Sequence, residues 1–195
     1  QERQAELSRS FSEHVLDATD GFAHYASEAD LDGVPADVIQ AARAAAQAEG
    51  LEGCKITLHF PSYFPVMQYA RNRALRETLY TAYVTRASEL GPRALDNGPI
   101  MRELLALRQE EAALLGKASF AEVSLVAKMA ESPAQVIDFL RDLAARARPG
   151  AERDLAELRE FARSELEIAD LQAWDLAFAS ERLKEKRYAF SDQEI

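Results

Sequence analysis

Along most of the chain the apolar residues return every three or four positions, the period of a helix that buries one face. Leu7, Phe11 and Val15 share a face and predict a helix from the first residues to about Leu16, broken by Asp17 to Gly21. Val34-Pro35 places a proline at a helix start, and the alanine-rich stretch Ala36 to Glu49 follows, closed by Gly50 as a left-handed cap. Asn72 can cap a helix with Leu75, Leu79, Ala82 and Tyr83 on one face, ended by Gly91-Pro92. Ile100, Leu104, Leu107, Leu114 and Leu115 mark a long helix finished by Gly116. Ser119 and Glu122 form a capping box before a helix expected to bury Val123, Val126 and Ala127. Ser132-Pro133 opens the next, whose predicted buried face is Val136, Leu140, Leu143 and Ala147. An interior proline removes a hydrogen bond and costs about 3 kcal/mol, so Pro149-Gly150 predicts a kink or short break. Leu155, Leu158, Ala162 and Leu166 resume the pattern. A last helix carries Trp174, Phe178 and Leu183, with Glu181, Lys184, Glu185 and Arg187 as its solvated side.

One stretch, Cys54 to Ala70, departs from this period. Ile56, Leu58 and Phe60 alternate with Lys55, Thr57 and His59, the pattern of a half-buried strand, and Pro61 is expected to end it. From Ser62 a short helix follows, with Pro65 near its start. A lone strand needs a partner, and Gly21 to Ala26 is the best candidate. The fold class is therefore mainly α: a multi-helical array with one small two-stranded antiparallel β element, about 21–26 with 55–60. The alanine-rich helix has only Val38 and Ile39 as a narrow apolar face, so it reads as a connection between the strands more than as a core element. A sub-boundary near residue 71 would separate the strand-bearing part from the helical array.

Composition narrows the function classes. The 33 acidic against 23 basic residues leave a net charge of −10, which opposes binding to nucleic acid or an anionic membrane surface. No run approaches the roughly 20 apolar residues of a membrane span, and no charged-then-apolar leader opens the chain, which predicts a cytoplasmic protein. The single cysteine, Cys54, cannot form an internal disulfide and reads as a plain strand residue in a reducing compartment. Both ends predict a larger parent. Gln1 begins at full helical polarity with no cap before it, and Ser191 with Glu194 forms a capping box that announces a helix with only Ile195 following.

Candidate chemistry is sparse. A zinc peptidase helix needs histidines at i and i+4 with a glutamate beside the first, and this chain has no such motif. Its three histidines, His14, His24 and His59, are far apart; pairing of the strands could bring His24 and His59 together, and a third ligand would then make a metal site. Satisfied histidines are the ordinary reading. Asp138 and Asp142, flanked by Arg141 and Arg146, read as surface ion pairs. Tyr63, Phe64, Tyr69, Tyr80 and Tyr83 either line a peptide groove or, as is commoner for such clusters, fill a core. Trp174-Asp175 reads as a buried tryptophan beside a helix-starting carboxylate.

Four ordered blocks go further than periodicity. LEGCKITLHFPSYFPVMQYARNRALRETLYTAYVTRAS, DNGPIMRELLALRQEEAALLG, ASFAEVSLVAKMAESPAQVIDFLRDLAARARPGAERDLAEL and AWDLAF, with FSEHVLDATDGF near the start, resemble the N-terminal half of the thimet oligopeptidase family of zinc peptidases. The resemblance implies a mainly helical protein whose halves face each other across a narrow channel that admits short peptides and excludes folded proteins. It places the zinc in the later half, in an H-E-x-x-H motif beyond Ile195, so no catalytic, cofactor-binding or metal-ligating residue is carried over onto this chain. Residues 1–195 would be a single helical piece of the non-zinc half, inactive alone, with the missing C-terminal catalytic half and short peptides as partners. The family commonly shows two tyrosines after the Trp-Asp pair, where this chain has Phe178 and Ala179, which puts a hydroxyl role there in doubt. A rival class is a non-catalytic helical scaffold for peptides or proteins. It predicts an apolar groove complete within the chain, whereas the peptidase reading predicts an orphaned apolar patch on the order of several hundred Å².

Overall fold

The structure is a computed structural model that describes residues 1–188. Helix α1 (Glu2–Asp20) runs a turn beyond its expected end, and the Asp17 carbonyl accepts the Gly21 N–H at 2.8 Å to close it. The chain then enters β1 (His24–Ala26), which pairs antiparallel with β2 (Cys54–Ile56), His24 lying opposite Ile56 and Ala26 opposite Cys54. This is the expected β element with shorter strands. The ladder stops at Ile56 because the Thr57 N–H turns away to donate to Ser62 Oγ at 3.0 Å. Helix α3 (Phe60–Tyr69) consequently begins before Ser62, and Pro61 sits in its first turn, where a missing N–H costs nothing, instead of terminating a strand.

Two glycines set these close approaches. Gly53 has φ +87°, and a Cβ there would lie 2.7 Å from the Ala26 carbonyl oxygen, so no other residue could enter the ladder unstrained. Gly33 has φ +92°, and its Cβ would meet the Tyr69 carbonyl oxygen at 2.5 Å. Between the strands, α2 (Ala36–Ala48) packs on β2 and buries Ala42 and Ala46. The expectation of a mere connection is corrected here, since methyl-sized side chains let this helix lie close to the strand and share its core. Leu31, Ile56, Leu58, Val66 and Leu79 fill that core.

Helix α4 (Arg73–Val84) is capped as expected, the Asn72 Oδ1 accepting the Leu75 N–H at 3.1 Å. It ends at Val84, well before Gly91-Pro92. Helix α5 (Gly98–Leu114) packs on α1, and Gly116 follows at φ +68°. Ser119 caps α6 (Phe120–Leu125) by accepting the Glu122 N–H, but the Glu122 carboxylate reaches back one residue further than a capping box requires, to the Ala118 N–H at 3.0 Å. Val126 and Ala127 are exposed, so the predicted buried face is not buried: the helix stops at Leu125, before a second turn could turn them inward.

Helix α7 (Pro133–Glu165) is 33 residues long and is not broken at Pro149-Gly150. Residues 137–149 are exposed throughout, so water can reach the backbone carbonyl that Pro149 leaves without a donor. For the same reason Leu140 and Leu143 are 55% and 46% exposed, and Ala147 is exposed too, contrary to the buried face expected for them. Only the C-terminal part of α7 has a core, in which Leu158 and Ala162 meet Phe178 and Ala179 of α8 (Leu176–Tyr188). Among the described residues the fold is thus eight α-helices and one two-stranded antiparallel sheet. The capping box of Ser191 and Glu194 lies outside the described residues.

Helix α7 ends on Glu167 at φ +58°, where a side chain crowds the backbone and glycine does not. Glu167→Gly should raise stability by about 0.5–1 kcal/mol, read as a higher urea midpoint. Gly33→Ala should lower it, because the Tyr69 carbonyl blocks the added methyl.

Candidate functional site

A buried ionic site joins α4 to the turn that leads into α8. Asp175 ends a 3-10 turn, Ala173–Asp175, and both it and Arg76 of α4 are 0% exposed. Asp175 Oδ1 accepts from Arg76 Nη2 at 2.8 Å, and Oδ2 accepts from Arg73 Nη2 at 2.8 Å and from the Gln172 N–H at 3.0 Å. Arg76 also donates through Nη1 to the Ala70 carbonyl at 2.6 Å and through Nε to the Trp174 carbonyl at 3.3 Å. Its guanidinium lies 4.2 Å from the centroid of the Phe178 ring. Burial opposes ionisation of Asp175, yet the hydrogen bonds from Arg73, the Gln172 amide and Arg76 outweigh it and hold the carboxyl below its usual range. Asp175 is therefore an anchor between two cations, a larger role than helix starting. Trp174 beside it is half-buried and tilted 58° against Tyr80.

A second buried acid departs from expectation. Glu181 was placed on the solvated side of α8, but it is buried and accepts from Gln68 Nε2 at 2.9 Å and from the Tyr69 hydroxyl at 3.5 Å. The packing of α8 on α3 turns Glu181 inward, while Lys184 and Glu185 stay partly exposed and Arg187 exposed. Phe178 and Ala179 are buried as well, so the two positions that depart from the family pattern lie in packing.

The three histidines do not converge. His14 Nδ1 is 2.9 Å from Asn97 Oδ1, whose own amide donates to the Phe11 carbonyl, so that the imidazole nitrogen donates. His59 Nε2 is 2.9 Å from Asp20, and His24 lies opposite Ile56 in the ladder. Among the described residues no group of three or more His, Cys, Asp or Glu side chains could hold a metal ion. The described residues do not fit a zinc site. Cys54 is a buried strand residue whose thiol burial pushes up, as its neighbours imply. Asp138 pairs with Arg141 at 3.6 Å and Asp142 with Arg146 at 2.9 Å on the surface, as expected.

Most of the aromatic cluster is core. Tyr63 and Tyr69 are buried, and Tyr63 stacks on Tyr83 with centroids 4.4 Å apart. Burial, with Tyr83 and Tyr80 nearby, pushes the Tyr63 hydroxyl up to about 12. Tyr80 and Tyr83 are half-buried, and of the five Phe64 alone is exposed, stacked on the exposed Phe60. A separate apolar groove, lined by Phe11, Met101, Leu104, Leu105 and Arg108, runs between α1 and α5.

The block from Leu51 to Ser88 and the block AWDLAF, two of those that carry the sequence resemblance, thus meet at Arg73, Arg76 and Asp175. Residues 66–195 match peptidase family M3, and the chain belongs to that family. Within it, the chain is 50% identical over 196 aligned residues to oligopeptidase A of Salmonella typhimurium and equally so to oligopeptidase A of Escherichia coli, covering 99% of this chain in both cases. It is 28% identical to dipeptidyl carboxypeptidase of Escherichia coli over 98% of its length. The chain spans 29% of the length of either oligopeptidase A.

Removing the Asp175 charge leaves Arg76 buried without its anion. Asp175→Ala should cost about 3–5 kcal/mol, measured by urea unfolding. Because the folded carboxyl ionises below the ordinary aspartate value of 3.8, the unfolded chain takes up the proton first as pH falls. Stability from this group is complete above that value and is lost as pH drops toward the depressed one. The urea midpoint of Asp175→Asn should therefore decline less steeply in this acid window than that of the parent.

Proposed function

We propose that residues 1–195 are a single segment of the non-zinc half of a zinc-dependent oligopeptidase, forming a wall of the channel that admits short peptides. The parent is a cytoplasmic metalloendopeptidase in this reading. Its zinc lies outside this segment, its catalytic half is the segment's partner, and no residue of 1–195 takes a chemical step. What carries the reading is a conjunction. The chain belongs to a peptidase family and yet its histidines are spread over α1, β1 and the start of α3, with no H-E-x-x-H in the sequence. The contribution left to it is shape: a rigid clamp at Asp175 that holds helices in place, and exclusion of substrates too wide to pass.

No helix among the described residues is long and apolar enough to cross a membrane, in keeping with that assignment. The net charge of −10 likewise argues against nucleic acid as a ligand. A second reading, a non-catalytic peptide- or protein-binding scaffold, draws on the apolar groove between α1 and α5. The two separate cleanly in solution. Under the peptidase reading, purified residues 1–195 with added zinc turn over no fluorogenic peptide. The parent polypeptide cleaves it, loses activity to a chelator and regains it with zinc. Hydrolysis by residues 1–195 alone would reject the assignment, and tight peptide binding by that piece without hydrolysis by the parent would favour the scaffold.

A further inference from the structure

The apolar positions of α7 form one stripe, of which only half is covered. Leu140, Ala144, Ala147, Ala151, Leu158 and Ala162 follow each other at helical spacing along a single face. At the C-terminal end that face is closed by α8, and Leu158 is 9% exposed against Phe178 and Ala179. Towards the N-terminal end it runs on in the same line with nothing described over it, and Ile137, Leu140 and Leu143 stand in water. The flanks carry paired charges of both signs, Asp138 with Arg141 and Asp142 with Arg146, and not the basic face of a membrane-surface helix.

We propose that the bare half of this stripe, from Ile137 to Ala151, is an interface for another apolar-faced helix of the same peptidase polypeptide, lying outside residues 1–195 in line with α8. The proposal rests on the peptidase reading above. Two considerations choose this occupant. The chain spans 29% of the length of its oligopeptidase A relatives, so a peptidase of that kind has ample polypeptide to supply a cover. The bare strip is also too small to hold a free partner. At about 1.5 Å per residue and about 10 Å of helix width it offers on the order of 200 Å², well short of the roughly 800 Å² per partner of a stable separate complex. A tethered segment needs no such area, because its effective concentration is set by the linkage. The alanines at 144, 147 and 151 leave room for a helix to approach closely, with Leu140 and Leu143 as the side chains it would bury.

Hydrogen exchange on the parent polypeptide and on residues 1–195 tests this. Amides 137–148 should exchange at least roughly tenfold more slowly in the parent than in the isolated piece. Leu140→Glu should abolish that difference in the parent and leave the melting temperature of residues 1–195 unmoved. Leu140→Ala, a milder change, should reduce the protection in part, which keeps the test open if the glutamate variant of the parent does not fold. Equal exchange in both proteins would overturn the proposal. So would a dimer of residues 1–195 seen by sedimentation and abolished by Leu140→Glu, since a second copy would then be the occupant. Peptide hydrolysis by the parent is scored separately. Slow exchange in a parent without hydrolysis sinks the functional reading alone, and fast exchange in a hydrolysing parent sinks the interface alone.

Discussion

Asp175 is a full negative charge with no contact to water, and it is tolerable only because two guanidiniums and an amide surround it. Much of the architecture follows from meeting that demand. Arg73 and Arg76 must point the same way from one helix, which their spacing of three provides. The helix must start where it does, which Asn72 secures. Arg76 must also find acceptors for its remaining protons, and the carbonyls of Ala70 and Arg71 before α4 and of Trp174 in the turn before α8 supply them. The ring of Phe178 takes the face of the guanidinium that has no hydrogen-bond partner.

Away from this centre the molecule is organised differently. The core beneath the small sheet relies on close contact, with Gly33 and Gly53 admitting backbone to backbone and alanines of α2 closing on β2. The long arm of α7 has neither device over its first half. Its helix persists on local propensity and on surface ion pairs of Arg with Asp, each contributing little alone. The chain so built has one end of α7 packed and the other standing in water.

Much of this was legible along the chain. The helices starting at Asn72, Ser119 and Ser132 were readable from capping residues, because a cap is a local matter between a side chain and an amide three residues on. Alternation revealed a strand near Ile56, and the need of a lone strand for a neighbour pointed to its partner at His24–Ala26, though the strands are shorter than expected. What could not be read were contacts between distant segments. Periodicity marks a face as apolar without saying whether anything covers it, so Leu140 and Leu143 were expected to be buried while Glu181 was expected to be solvated. Arg73, Arg76 and Asp175 were missed as a unit. The available signal was two arginines three apart directly after an asparagine cap, and an aspartate alone within AWDLAF. At Pro149 a kink or short break was expected, and the helix runs through it unbroken, with water at hand for the carbonyl that lacks its donor.

The same clamp constrains the order of assembly. Arg73 and Asp175 are 102 positions apart, whereas His24 and Ile56 close a much shorter span. The entropy of loop closure grows with the logarithm of the span. The sheet and the helices around it can therefore settle first, as a nucleus already complete by the time α8 arrives. On this reasoning the ionic lock closes over the longer loop and seals a platform built from the shorter ones.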